Sequence, residues 1–76
     1  MDIVALQSQL REALDAESVV LQLDGNRMTG TVVAACFAEL SRVKRQQKVY
    51  AFLKEDIASG ALHAVSIRAL APDERD

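Results

Sequence analysis

Two side chain types in this sequence could hold a soft or borderline metal, and there is one of each, Cys36 and His63. A structural zinc site normally draws four such ligands. The chain cannot close a metal site alone, and a site completed by a partner's ligands is the arrangement left open to it. Covalent and acid–base chemistry is poorly served. There is no phosphate-cradling P-loop, no G-x-S-x-G turn and no H-E-x-x-H helix. A single histidine with no nucleophile beside it is not a triad. Glu55 and Asp56 are neighbours on a predicted helix and point apart, so they are no acid and base pair. The chain therefore reads as a binding module rather than an enzyme.

Charge is the remaining chemistry. Arg42, Lys44, Arg45, Lys48 and Lys54 put five positive charges and no negative ones between Leu40 and Lys54, and the rest of the chain carries −7. A dipole of this kind steers an acidic partner or a nucleic acid toward one face. Arg42, Lys44, Arg45 and Lys48 are the candidate recognition surface, with Gln46 and Gln47 able to donate to phosphates or base edges. Four phosphate contacts would give a log–log salt slope of about −3 to −4. The same residues also fit a plain solvated helix side. Against nucleic acid, the stacking aromatics are only Phe37, Tyr50 and Phe52.

These groups need a scaffold, and 76 residues allow one small domain. A domain this size buries only about 60% of its unfolded surface, which leaves little room for an enclosed active site. Half of the residues are hydrophobic and 26% charged, a globular composition. No apolar run approaches the ~20 residues of a membrane span. The start lacks a basic segment, so no signal peptide is expected. One cysteine fits a reducing cytoplasm.

Ile3, Leu6, Leu10, Ala13 and Leu14 recur at helical spacing, with Asp2 as the predicted N-cap. Val19, Leu21 and Leu23 alternate as a strand, Asp24-Gly25-Asn26 is a turn, and Met28 to Phe37 reads as the returning strand. Gly30 inside that strand marks a bulge or a close approach of another backbone. Ser41 can cap a helix whose stripe is Gln46, Val49, Tyr50, Leu53 and Ile57, with Phe52 widening it. Gly60 suits the left-handed residue that ends it. Leu62 to Leu70 alternates again, with His63, Val65, Ile67 and Ala69 to one side. Pro72 breaks this strand, and residues 72–76 read as a flexible acidic tail. Three strands covered on one face by two helices give a two-layer α+β domain spanning 1–76.

Ser41-Arg42-Val43-Lys44, the Gln46-Gln47 pair, Val49-Tyr50, then Leu62-His63-Ala64-Val65-Ser66-Ile67 and Pro72 follow one another without gaps. This order closely resembles the BolA family, in particular its IbaG-like bacterial branch. The resemblance runs from about Val19 to Pro72 and is most specific after Ser41. It implies an αββααβ topology similar to a type II KH fold, although the G-x-x-G loop that clamps a nucleic-acid backbone in KH domains is absent. It implies a monothiol glutaredoxin as partner, in iron–sulfur cluster handling or iron-linked regulation. A [2Fe–2S] cluster would be shared with the glutaredoxin and glutathione, none being bound by the chain alone. His63 would be this chain's ligand, against the bland alternative of a hydrogen-bonded histidine at the rim of the core.

The family pattern places a second ligand in the hairpin, D-G-S-H-F, where this chain has Asp24-Gly25-Asn26-Arg27-Met28. Arg27 has no lone pair to offer iron. Cys36 is the candidate rescue ligand, set against an ordinary core cysteine beside Phe37. Glu39 replaces a usual glycine and Arg75 a usual tryptophan. Two other functions stay open: a transcription regulator binding nucleic acid through the basic helix start, and a protein-interaction module that has lost cluster ligation.

Overall fold

The computed structural model describes residues 2–74. Asp2 starts the first helix, α1 (Ile3–Leu14), by accepting the Ala5 N–H at 3.0 Å. Leu6, Leu10 and Leu14 are its buried stripe, while Ala13, expected on that stripe, is exposed. A hairpin follows, β1 (Ser18–Asp24) and β2 (Arg27–Val33), closed by Gly25 and Asn26 with Gly25 at φ 62°. The pairing runs in unbroken register from Asp24↔Arg27 to Ser18↔Val33, so there is no bulge at Gly30. Close approach is the reason for this glycine. A Cβ there would lie 2.3 Å from the Val20 carbonyl oxygen of the neighbouring strand.

The returning strand ends at Val33, earlier than the sequence pattern indicates, and Ala35–Glu39 winds into a short 3₁₀ helix. This turn drops Phe37, fully buried, under the sheet. Ser41 then caps α2 (Arg42–Tyr50) by accepting the Lys44 N–H at 3.3 Å. The long helix expected up to Gly60 is broken. After Ala51, whose N–H still donates to Gln47 O, the bonds tighten to the i−3 pattern, Phe52 N–H to Val49 O and Leu53 N–H to Tyr50 O, before α3 (Lys54–Ala58) begins. Each tightened residue turns about 120° instead of 100°. Val49 and Leu53 both reach the core, and Ile57 is rotated outward to 40% exposure. Gly60, at φ 85°, ends this region as its composition predicts.

The last strand, β3 (Ala64–Leu70), lies parallel to β2 and gives the order β1-β2-β3. Val19, Leu21, Met28, Val32, Ile67 and Ala69 line its buried face and pack on the leucines of α1 and on Phe37, Val49, Leu53 and Leu62. Leu23 belongs to the same row, but at the hairpin end it is 37% exposed. The opposite face, with Val20, Gln22, Thr29, Ser66 and Arg68, is open to solvent. The outcome is the expected two-layer α+β arrangement.

Both outer strands have backbone groups bound by helix side chains. On β1, the Leu21 N–H donates to Gln7 Oε1 at 2.8 Å. On β3, the carbonyls of alternate residues accept from α2: Val65 from Tyr50 Oη at 3.1 Å, Ile67 from Gln46 Nε2 at 2.8 Å, and Ala69 from Arg45 Nη1 at 3.1 Å.

Residues 72–74 are tied to the fold. Pro72–Glu74 forms a 3₁₀ turn, and Glu74 is held by Arg45 and by the Ala71 N–H. The expected flexible tail is corrected over residues 72–74 alone, because a carboxylate four residues beyond the strand meets the Arg45 guanidinium. Residues 75 and 76, including Arg75, lie outside the described residues.

Candidate functional site: His63 and the basic helix

His63 precedes β3 rather than sitting within it, and it is exposed. Its position is fixed by backbone. The His63 N–H donates to Asn26 O at 2.8 Å and the Ala64 N–H to the same oxygen at 3.3 Å, which ties the start of β3 to the hairpin turn. Among the described residues the imidazole forms no hydrogen bond. The side-chain hydrogen bond expected of a rim histidine is not formed among the described residues. Gly60 lies beside it, an added Cβ there falling 3.7 Å from His63 Nε2.

Arg27 pairs with Ala64 across the β2–β3 ladder, so the hairpin position next to His63 carries a guanidinium. Cys36 does not replace it. It is exposed on the 3₁₀ helix, not buried at a strand end, and its Sγ lies 3.8 Å from Leu14 O as a weak donor. That places it beyond the far end of β2, about 20 Å of strand away from the His63 end. Among the described residues no three His, Cys, Asp or Glu side chains converge on a point. His63 is the one imidazole in the sequence, and it stands outside any such group.

The four basic residues do not form one surface. Arg45 is used inside the fold: its side chain is only 11% exposed, and it forks onto Glu74 with Nη1–Oε1 at 2.6 Å and Nη2–Oε2 at 3.0 Å. Its Nε donates to Leu40 O at 3.0 Å as well. The Arg45 hydrogen bond, reinforced by the Ala71 N–H and by the charges of Arg45 and Arg42, holds the Glu74 carboxyl at about 2, while the hydrogen bond to Glu74 raises Arg45. Lys44 and Lys48, four residues apart, stand one turn from each other on the solvent side. Arg42 lies at the opposite end of α2 from Tyr50, near the C-terminal end of β3, and so about one strand length from His63.

Sequence reasoning missed the outer side of the two helices. Val43, Gln47, Tyr50 and Ala51 form an apolar groove with Ile57 of α3, about 810 Å³ in volume, with Arg42 and Lys54 on its lining. The signal was Val43, which lies outside the stripe of α2 and is 65% exposed.

A family model described as BolA-like protein matches residues 10–74. The chain belongs to the BolA family. Among curated BolA relatives, the acid stress protein IbaG of Escherichia coli K12 is 44% identical over 69 residues, covering 91% of this chain and 82% of that one. Solved BolA structures superpose closely. BolA1 from Arabidopsis thaliana gives a TM-score of 0.83 at 26% identity, covering 96% of this chain and 94% of that one. The BolA domain of SufE1 from the same plant gives 0.80 at 26%, covering 95% and 93%. No helix among the described residues of this BolA-like chain is long and apolar enough to cross a membrane.

Proposed function

We propose that the chain is a non-enzymatic BolA-like binding module that pairs with a monothiol glutaredoxin and offers His63 to a [2Fe–2S] cluster passing between proteins. The observation that carries this reading is the exposed, unbonded imidazole of His63, held in place through its backbone N–H on Asn26. A surface histidine fixed in this way can meet a partner-borne metal without rearrangement of the fold. The glutaredoxin cysteine and glutathione would supply thiolates, and an imidazole among them lowers the negative charge at iron and raises its potential. Arg27, on the neighbouring strand, adds positive charge at the same end and no ligand. The chain thus contributes a single donor, and the other ligands come from the partner side.

Anaerobic reconstitution with a monothiol glutaredoxin, glutathione, iron and sulfide, followed by size exclusion with visible absorbance, tests the reading. A coloured one-to-one complex is expected, its spectrum changed by His63→Ala and its colour retained longer in Arg27→His. A colourless complex would leave partner binding without ligation. Separate elution under every condition would overturn the glutaredoxin reading and direct attention to salt-dependent nucleic-acid binding, for which Arg45 is already committed to Glu74.

A further inference from the structure

The outer groove has no role in ligation by His63, yet it has the features of a docking site. Scattered exposed apolar side chains are ordinary on a protein surface. Here Val43 of α2 and Ile57 of α3, 65% and 40% exposed, face one concavity floored by Tyr50 and Ala51. The helix break at residues 51–53 creates this arrangement, because it turns Ile57 out of the core and toward Val43. No carboxylate lines the groove among the described residues, while Arg42 and Lys54 do.

We infer that this groove receives an acidic amphipathic helix of a partner protein. Apolar side chains of that helix lie on Val43, Tyr50 and Ile57, and its carboxylates meet Arg42 and Lys54, a helix-in-groove mode of recognition. The walls are helical, so no free strand edge is present for an extended peptide to join. The apolar floor suits a side chain and not a phosphodiester backbone, which needs donors along its length. The inference rests on the partner-binding reading above and extends it. Ala58, at the α3 end of the groove, is two residues from Gly60, which lies beside His63. One partner can therefore fill the groove and present a ligand to His63.

The test uses a fluorescein-labelled peptide of about 14 residues, long enough to turn helical on binding, made of Leu, Ala and Glu with Leu at i, i+3, i+4 and i+7. A twin carries Lys for Glu. Anisotropy is measured at about 0.15 M salt, where exposed charges are screened beyond ~8 Å. The acidic peptide is expected to bind and its basic twin to fail. Val43→Glu and Lys54→Glu should each weaken binding at least tenfold, and His63→Ala by less than twofold. All three positions are exposed, and circular dichroism verifies that each variant is folded. Equal binding of both peptides, no binding of the acidic one, or indifference to the groove variants overturns the inference. So does a single-stranded oligonucleotide that displaces the peptide and is itself lost with Val43→Glu. Acidic-peptide binding without any glutaredoxin complex would uphold the groove and remove the glutaredoxin reading. A His63-dependent cluster complex untouched by the groove variants would do the reverse.

Discussion

Replacing Gly30 by alanine tests the packing of the hairpin most directly. The added Cβ would stand 2.3 Å from Val20 O, 2.9 Å from Leu21 Cδ2 and 3.1 Å from Leu21 Cα. The leucine methyl can rotate away; the carbonyl and Cα cannot move without shifting β1. The contact with oxygen is about 1 Å shorter than an ordinary C···O approach. Relief requires the two strands to part in the middle of a ladder of seven residue pairs. Overpacking of this kind costs about 1–3 kcal/mol, and backbone obstruction puts the expected loss at about 3, less roughly 0.5 for the stiffer unfolded chain. A 76-residue domain has only about 4–11 kcal/mol in total. Urea denaturation followed by circular dichroism, with a slope of about 1 kcal/mol/M, should show the midpoint falling by about 2 M or more at unchanged slope. Gly25→Ala is the control, with a left-handed φ of 62° but nothing within 4 Å of the added Cβ. It should cost about 1 kcal/mol from backbone strain alone. A Gly30→Ala midpoint equal to wild type, or a larger loss from Gly25→Ala, would refute the close approach of β1 and β2.

Glu74→Gln should lower the melting temperature at pH 7. The carboxyl is held at about 2 against an ordinary 4.5, so its contribution is complete above 4.5 and fades as pH falls toward 2. The gap between wild type and variant should close across that window in thermal melts; a constant gap would rule out the ion pair as its source. Gln7→Leu leaves the half-buried Leu21 N–H without an acceptor and should cost about 1–3 kcal/mol, with faster hydrogen exchange at that amide. Tyr50→Phe removes one bond to Val65 O and should cost about 1 kcal/mol in urea denaturation, leaving the peptide affinity of the groove nearly unchanged.

The order of helices and strands was legible because its punctuation is local. Ser41 caps over three residues, Gly25 and Gly60 take positive φ, and Leu6, Leu10 and Leu14 repeat at helical spacing. Gly30 was readable in part: the pattern left a bulge or a close approach, and the unbroken register leaves the close approach. What failed depends on contacts distant in sequence. Arg45 looked like one more solvated charge because Glu74 lies 29 residues away. The helix break at 51–53 turns Ile57 off the stripe it would share with Val49 and Leu53, and no glycine or proline announces it. Cys36 was expected at a strand end beside Phe37, as a rescue ligand or a core cysteine, because a run of small and branched residues hides where a strand stops. His63 was singled out through the family resemblance; its exposure and its tie to Asn26 came only from the fold.

The three α2 side chains on β3 have a consequence for how this protein behaves when crowded. A strand joining an open sheet needs acceptors as well as donors on the rim it meets. The oxygens of Val65, Ile67 and Ala69 are already taken by Tyr50, Gln46 and Arg45 of the same molecule. That rim is thus a poor template for templated polymerisation, although no further strand among the described residues encloses it. Colloidal quality then depends on these three side chains of α2. Trimming Gln46 and Tyr50 to alanine would free the carbonyls of Ile67 and Val65 to accept from an added strand.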